Sequence, residues 1–325
     1  MDRVVAQQVA EGYGLGTVTA DPAVAARGEQ GRMWRVDTDR GSWAVKELLM
    51  RQVEDDAEQD VSFQERMHDA GLPLPRPVRR LDGQVLIQIA FGSGDLQLRV
   101  YPWLALRRPD TPAPLAVAAA LLGRLHALAR PATRPMHDWF TDPLGEPEVE
   151  RLEAAIDAAA PAWASLGTRI LDAVRATEPV VIDARLADRP ASTLLECHLD
   201  FVIDNVLTLA TGAPVIVDWE NAGSGTADGE LLMATTDFTT RTDDAVAFVR
   251  AYRTGGATAT VDDERAFAMP LAVQGHLARF YLERALDAGA TDEDRARAAW
   301  RIDELAGNLL TPGRIEELLV ALRDV

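Results

Sequence analysis

Three polar residues at the ends of short apolar runs have the types and spacing that phosphoryl transfer requires. Asp200 is followed by Asn205 five residues later, and Asp218 comes directly after the apolar run 215–217. The carboxylate of Asp200 could orient the proton of an acceptor hydroxyl, while the Asn205 amide and the Asp218 carboxylate supply oxygens that Mg²⁺ prefers. The sequence therefore predicts a catalytic group and a magnesium site in this segment.

A second candidate is Lys46, the only lysine among the 33 lysine and arginine residues of the chain. A compact ammonium differs from a planar guanidinium wherever a point charge must reach a phosphate. Period-two alternation along the run 42–46 puts Lys46 on the same face as Ala44. A flat base could lie against Ala44 while its phosphates reach Lys46. We therefore predict that both residues bind a nucleotide; chance survival of one surface lysine is the alternative.

The elements that must position these residues begin with a small sheet and one helix in the first hundred residues. A turn at 39–41 predicts one hairpin, and Gly92-Ser93-Gly94-Asp95 predicts a second. Between the hairpins, apolar residues at helical spacing predict a helix over about 55–70. The glycine-rich stretch 12–16 lies thirty residues ahead of Lys46, so it is interpreted as a helix stop and not as a phosphate loop.

From Pro112 onward the pattern is mostly helical, with long segments rich in Ala, Leu and Glu. The Pro- and Arg-rich segment 107–114 is the predicted surface connection between two lobes. A strand-rich insert interrupts the helices, and polar residues cluster at the ends of its three short apolar runs, which are 194–197, 206–209 and 215–217. The insert is therefore where chemistry is predicted.

Composition limits the classes of function. A chain of 325 residues should form two domains or lobes with an ample core. The net charge of -18 opposes nucleic acid or an anionic membrane surface as a partner. The single Cys197 excludes a disulfide within the chain and fits a reducing cytosol. With no signal peptide or membrane span visible, we expect a cytoplasmic protein, with no partner protein implied.

The motifs together resemble one family. His198-Leu199-Asp200 with Asn205, followed by Val217-Asp218-Trp219-Glu220, is similar to the H-x-D-x-x-x-x-N and I-D-W-[DE] signatures of the aminoglycoside phosphotransferase and choline kinase superfamily. Further segments fall in the order seen in such enzymes: the lysine strand, the helix ending at Gly71, 99–103 and 122–128. The resemblance extends from about residue 28 to 240, and more loosely to 290.

This resemblance implies an α+β, bilobal protein-kinase-like fold. A strand-rich N-lobe with its hinge would span 1–104, and a mostly helical C-lobe, 105–325, would carry the catalytic loop and the acceptor pocket. The implied reaction is Mg²⁺-dependent transfer of the γ-phosphate of ATP or GTP to a hydroxyl of a small molecule. Inactivation of an antibiotic is the leading subclass, with choline, amino-alcohol and sugar kinases as alternatives.

The resemblance also assigns catalytic roles. Asp200 would accept or orient the acceptor proton, and Asn205 with Asp218 would bind the metal that bridges the nucleotide phosphates. His198 is expected to hydrogen-bond the catalytic loop and not to act as a chemical base. Leu199 replaces the glycine or arginine that is usual between the histidine and the aspartate.

Nucleotide-binding roles follow in the same way. Lys46 would contact the α and β phosphates and be held by an acid on the helix 55–70. Asp60 is favoured for this pairing, and Glu58 is the rival. The remaining residues expected to bind nucleotide are Val100 and Tyr101 in the hinge, and Gly28 and Gly31 in a phosphate loop over 27–31.

Two other classes of function stay open. Because of Leu199, the chain could be a nucleotide-binding pseudoenzyme. A metal-dependent hydrolase using His198, Asp200 and Asp218 is less favoured, since such sites normally need more ligands. The acceptor is undetermined: the apolar loop 201–203 favours a neutral nucleoside or macrolide antibiotic, whereas acids on later helices could attract a cation. These acids include Asp237, Asp243, Asp244, Asp262 and Asp263.

Overall fold

A computed structural model describes residues 1–28, 31–49, 51–92, 94–107, 112–187 and 193–325. Parts of three predicted features lie outside the described residues: 29–30 of the phosphate loop, Ser93 of the second turn and 108–111 of the connection.

The chain forms two compact units, one of 1–113 with 204–222 and one of 114–203 with 223–325. The lobe boundary near residue 104 stays a prediction. The two compact units do not coincide with the predicted lobes, because residues 105–113 and 204–222 belong to the first unit.

A five-stranded antiparallel sheet forms the base of the first unit. Its strands are β1 (Ala23–Arg27), β2 (Gly31–Thr38), β3 (Gly41–Leu48), β4 (Ile87–Phe91) and β5 (Gly94–Pro102). They lie in the order β1-β2-β3-β5-β4. Both predicted hairpins are confirmed, since Thr38 pairs with Gly41 and Phe91 pairs with Gly94. Alternation along β3 buries Val45 in the core, which leaves Lys46 for the opposite face.

Two helices accompany this sheet. Helix α1 (Arg3–Tyr13) contributes to its core and ends at Gly14, whose φ of 67° is left-handed and whose N–H bonds the last turn. The predicted helix stop is thereby confirmed, although α1 itself was not predicted. Helix α2 (Glu54–Asp69) confirms the helix predicted between the hairpins.

A short hairpin from the middle of the chain completes the first unit. Its strands are β7 (Val206–Thr208) and β8 (Pro214–Ile216), with Val206 paired to Ile216. The Ile216 N–H donates to the Pro73 carbonyl at 2.8 Å, which attaches this hairpin to the loop after α2.

The second unit is mostly helical, as predicted. Its helices are α3 (Leu115–Leu128), α4 (Glu146–Ala159), α5 (Ala164–Leu186), α6 (Ala227–Phe238), α7 (Thr242–Thr254), α8 (Ala268–Leu286), α9 (Asp292–Gly307) and α10 (Pro312–Leu322). Apolar faces of α4, α5, α8 and α9 share one core. Helices α3 and α7 touch through their backbones, because a Cβ at Gly123 would lie 1.9 Å from the Tyr252 carbonyl oxygen.

Two further short strands, β6 (Leu195–Cys197) and β9 (Gly223–Gly225), pair within the second unit. The described helices include none that is both long enough and apolar enough to cross a membrane. The predicted α+β class, with strands in the N-terminal part and helices in the C-terminal part, is confirmed.

Candidate active site

The β7–β8 hairpin brings two of the predicted residues to its open end. Asn205 immediately precedes β7, Asp218 follows β8 after one residue, and the Val217 N–H donates to the Asn205 carbonyl at 2.9 Å. Asp218 has a φ of 64°, which costs a non-glycine residue about 1–2 kcal/mol. Its side chain is 40% exposed. A strained and accessible carboxylate at the same hairpin end as an asparagine is a donor set that fits a hard divalent cation.

Lys46 lies against the same hairpin end. Its Nζ donates to Asp218 Oδ1 at 2.5 Å and to Glu220 Oε2 at 2.6 Å, and its side chain is 11% exposed. Burial alone would lower the pKa of Lys46, but the two carboxylates outweigh burial and raise the pKa. The ammonium is therefore a permanent positive charge held beside Asp218.

The predicted pairing of Lys46 with an acid on α2 is wrong: among the described residues, its carboxylate partners are Asp218 and Glu220. Asp60 pairs with both guanidinium ends of Arg99, each at 3.2 Å. Glu58 pairs with Arg79 at 2.7 Å.

The physical reason for this difference is the register of β3 and β5. Arg99 stands directly across from Lys46, so both side chains extend from one face of the sheet. The longer guanidinium of Arg99 bonds Asp60, which leaves the ammonium of Lys46 to the hairpin carboxylates.

Glu220 was not predicted as a site residue. Its Oε1 accepts the Tyr101 hydroxyl at 2.9 Å and lies 3.6 Å from Arg99 Nη1. Burial would raise the pKa of Glu220, but the Lys46 and Arg99 cations outweigh it and lower the pKa. The signal available in the sequence was the second acid of the Asp218-Trp219-Glu220 motif.

The residues predicted to bind the base lie inside the sheet. Ala44 pairs with Tyr101, and the Val100 carbonyl accepts the Val78 N–H at 2.9 Å. The chain leaves β5 at Trp103, whose N–H donates to Ser42. Base binding by Ala44, Val100 and Tyr101 stays a prediction. The backbone that follows β5 outside the sheet begins at Trp103.

The two glycines of the predicted phosphate loop are hydrogen-bonded to each other, and Gly31 lies close to Lys46. The Gly28 N–H donates to the Gly31 carbonyl at 2.9 Å. A Cβ at Gly31 would lie 2.9 Å from Lys46 Cε, so the residue type at Gly31 and the path of the lysine side chain are linked. Phosphate binding by Gly28 and Gly31 stays a prediction.

In the second unit, Asp200 and His198 lie in the segment 198–203, which is predicted to be catalytic and is named the catalytic segment for that reason. His198 is buried, and its Nδ1 accepts the Asp200 N–H at 3.3 Å. This contact agrees with the structural role expected for the histidine. Leu199 has a φ of 62°, in the left-handed region that non-glycine residues rarely adopt. The Leu199 N–H donates to the buried Glu230 on α6.

Glu230 belongs to a buried network that sequence reasoning missed. His126 Nε2 lies 2.6 Å from Glu230 Oε2, and His126 Nδ1 lies 2.7 Å from the Tyr252 hydroxyl. The Cys197 thiol is close by, and burial, together with the Glu230 charge, raises its pKa. Because metal binding needs a thiolate and a free imidazole nitrogen, we interpret this cluster as a hydrogen-bonded network.

A cavity of about 540 Å³ opens in the second unit at the turn between α6 and α7. Arg314 donates to Thr242 Oγ1 at 2.7 Å and pairs with Glu317 at 3.0 Å. Arg241 pairs with Asp243 at 3.7 Å, so two cations are balanced by two acids. The other polar side chains that line the cavity are Thr236, Thr239, Thr240 and Asn308.

Each unit thus has a distinct chemical capacity. The first holds a buried cation, a strained carboxylate and an amide oxygen, a combination suited to phosphate groups and a divalent metal. The second holds Asp200 on a segment in an unusual backbone conformation, and a polar cavity.

Solved structures with a similar fold include a spectinomycin phosphotransferase in complex with ADP and spectinomycin. It aligns with a TM-score of 0.67 and 13% identity over 99% of this chain and 98% of that one. An amicoumacin kinase in complex with AMP-PNP and Ca²⁺ aligns with a TM-score of 0.62 and 15% identity over 97% of this chain and 96% of that one. A microcompartment-associated aminopropanol kinase aligns with a TM-score of 0.64 and 13% identity over 93% of this chain and 95% of that one.

At these identities the structural matches establish the shared fold. A search of curated proteins finds no match. A sequence model described as "Phosphotransferase enzyme family" matches residues 23–268, which is most of the chain and includes every predicted site residue. The chain is therefore a small-molecule phosphotransferase that belongs to the phosphotransferase enzyme family.

Proposed function

We propose that the protein transfers the γ-phosphate of ATP or GTP to a hydroxyl of a small molecule in an Mg²⁺-dependent reaction. The observation that carries this proposal is the contact of Lys46, the sole lysine, with Asp218 at the end of the β7–β8 hairpin. A fixed ammonium beside a metal-type carboxylate is what binding of metal-bridged phosphates needs.

The residues of this chain would share the work as follows. Asn205 and Asp218 would hold Mg²⁺, which when bound neutralises phosphate charge and orients the transferring group. Lys46 would add a positive charge at the phosphates. Asp200 would orient the acceptor hydroxyl and accept its proton.

The cavity between α6 and α7 is the acceptor site in this proposal. Asp237, at the end of α6, accepts a hydrogen bond from the Ile203 N–H of the catalytic segment. The preceding residue, Thr236, lines the cavity, so the cavity lies next to that segment in the second unit. The lining has balanced charges and several hydroxyls, which suits an uncharged or weakly charged, hydroxyl-bearing molecule.

Other acids that could have attracted a cation have local structural roles. Asp263 accepts the Arg265 N–H and Asp262 accepts the Thr260 hydroxyl. An antibiotic with several hydroxyls is therefore the leading acceptor class. An amino alcohol is the second candidate, favoured by the fold shared with the aminopropanol kinase.

The test is nucleotide consumption measured with ATP and GTP, with and without Mg²⁺, against a panel of hydroxylated antibiotics, amino alcohols, nucleosides and sugars. Mass analysis should find one added phosphoryl group on the acceptor. Nucleotide binding without turnover on any acceptor would favour the pseudoenzyme, and hydrolysis of an acceptor without nucleotide would favour the hydrolase. Asp200→Asn should abolish transfer and leave nucleotide affinity nearly intact, since Asp200 serves the acceptor.

A further inference from the structure

Helix α6 contacts the catalytic segment at two points through side-chain carboxylates. Glu230 accepts the N–H of Leu199, and Asp237 accepts the N–H of Ile203 at 2.6 Å. The two acids are seven residues apart, which places them on one face of α6, about 10 Å apart along its axis. The residues that they hold lie on either side of Asp200 in the sequence. We propose that Glu230 and Asp237 are positioning residues that fix the backbone around Asp200, an inference that rests on the proposed function for its catalytic consequence.

The first contact is needed because the backbone at Leu199 is strained. A left-handed conformation costs a non-glycine residue about 1–2 kcal/mol, so Leu199 at a φ of 62° would relax unless its surroundings held it. Its side chain is buried and its N–H bonds an ionised carboxylate, an interaction stronger than an ordinary hydrogen bond. Glu230 therefore supplies the interaction that keeps this residue in the conformation preceding Asp200.

The second contact uses an acid at an unfavourable helix position. Asp237 is the penultimate residue of α6, where the partial negative charge of the helix C-terminus repels a carboxylate. The side chain is exposed and could turn to solvent, yet it accepts the Ile203 N–H. A bond made against the helix dipole indicates that the catalytic segment, and not α6, is what this acid stabilises.

The position of Glu230 is in turn set by two other helices. His126 on α3 lies against its second oxygen, and Tyr252 on α7 lies against the other ring nitrogen of His126. The backbone contact between α3 and α7 at Gly123 fixes the separation of these two side chains. Burial would raise the pKa of Glu230, but the hydrogen bond and charge of His126, together with His198 and the Leu199 N–H, outweigh burial and lower the pKa, so the acceptor stays ionised.

Hydrogen exchange of the backbone amides tests the contacts without any acceptor. In Asp237→Ala, peptides that cover 199–203 should exchange at least about tenfold faster, the factor that corresponds to a lost hydrogen bond to a charged group. Glu230→Gln should act at Leu199 in the same way. Asp228→Asn is the matched control, since Asp228 is an acid on α6 bonded to the adjacent Gly229 N–H, and it should leave exchange unchanged. Unchanged exchange in Asp237→Ala, a substitution at an exposed site that does not threaten folding, overturns the proposal.

Kinetics test the consequence for Asp200. Asp237→Ala should lower kcat by roughly 10²-fold through misplacement of the catalytic group, with no change in nucleotide affinity. Asp237→Glu, which keeps the carboxylate, should restore most of kcat. A rise in acceptor KM with unchanged exchange would mean that Asp237 binds the acceptor directly, and would also overturn the proposal. If the wild-type protein phosphorylates no acceptor, the proposed function fails, whereas the exchange experiment still decides whether the carboxylates fix the segment.

Discussion

Lysine and arginine have different roles at two adjacent positions of the candidate site, Lys46 on β3 and Arg99 on β5. Lys46 and Arg99 are cross-strand partners and both lie near Glu220, yet Lys46 also hydrogen-bonds Asp218 whereas Arg99 hydrogen-bonds Asp60. The compact ammonium lies between Asp218 and Glu220, with Gly31 packed against its stem. The planar guanidinium instead bonds a buried carboxylate through both of its ends, a geometry that lysine cannot reproduce.

We expect Lys46→Arg to lower kcat/KM for the nucleotide by roughly 10²-fold or more, because a wider group cannot occupy a point-charge site closed by Gly31. The measurement is steady-state kinetics with the variant shown to be folded by circular dichroism. Arg40→Lys, a conservative change in the exposed turn of the same hairpin, is the control and should have no effect. Wild-type turnover in Lys46→Arg would refute the phosphate-binding role.

A second residue-scale prediction separates charge from backbone strain at Asp218. Both Asp218→Asn and Asp218→Ala remove the ion pair with Lys46 and should lower the rate by roughly 10²-fold or more. Because Asn tolerates a positive φ, Asp218→Ala should lose about 1 kcal/mol more unfolding free energy than Asp218→Asn. Urea denaturation and Mg²⁺ titrations of activity provide the measurements. Activity that no longer depends on Mg²⁺ concentration in either variant would contradict the metal assignment.

Some of these residues could be predicted from sequence because the motif places them a few positions apart. Asn205 and Asp218 lie on either side of one short hairpin, so local pattern was sufficient to bring them together. The partner of Lys46 could not be found in this way. It depends on the β3–β5 register, which sets Arg99 beside the lysine, and on the contact with Glu220, 174 residues away.

At the scale of elements, α2 is attached to its surroundings by two arginines in different environments. Arg99 bonds Asp60 where both side chains are at most 2% exposed, whereas Arg79 bonds Glu58 and Glu65 where the side chains are 21–44% exposed. A buried carboxylate left without its cation is much more costly than an exposed one. The two pairs therefore differ in what they contribute to stability, although both join α2 to neighbouring segments.

Arg99→Met should consequently lower the unfolding free energy by about 3–5 kcal/mol, since it leaves the buried Asp60 with the Gln52 amide but without its cation. Arg79→Met, the matched change on the partly exposed pair, should cost about 1 kcal/mol or less. Chemical denaturation of both variants under identical conditions measures the difference. Equal losses would show that burial does not distinguish the two pairs.

Most helices and strands could be predicted from local sequence pattern, but the way in which they pack together could not. The turn residues at 39–41 and the short apolar runs of the insert predicted strands that the structure contains. By contrast, sequence order suggested that the insert belongs with the helices around it, while residues 204–222 pack into the first unit. The deciding contact is the Ile216 N–H bonded to Pro73, a backbone interaction that leaves no trace in residue type.

For the whole molecule, the net charge of -18 and the balanced lining of the cavity lead to opposite expectations for the acceptor. A polycation would be attracted by the long-range field, and its capture would weaken as the Debye length falls from about 30 Å at 0.01 M salt to about 10 Å at 0.1 M. An uncharged acceptor recognised by Thr239, Thr240 and their neighbours depends on short-range hydrogen bonds that salt screens little. We therefore expect kcat/KM for the acceptor to stay nearly constant over this range at fixed Mg-nucleotide concentration. A steep fall with salt for a confirmed phosphorylated product would instead identify a polycationic acceptor, and would place its binding outside the charge-balanced cavity.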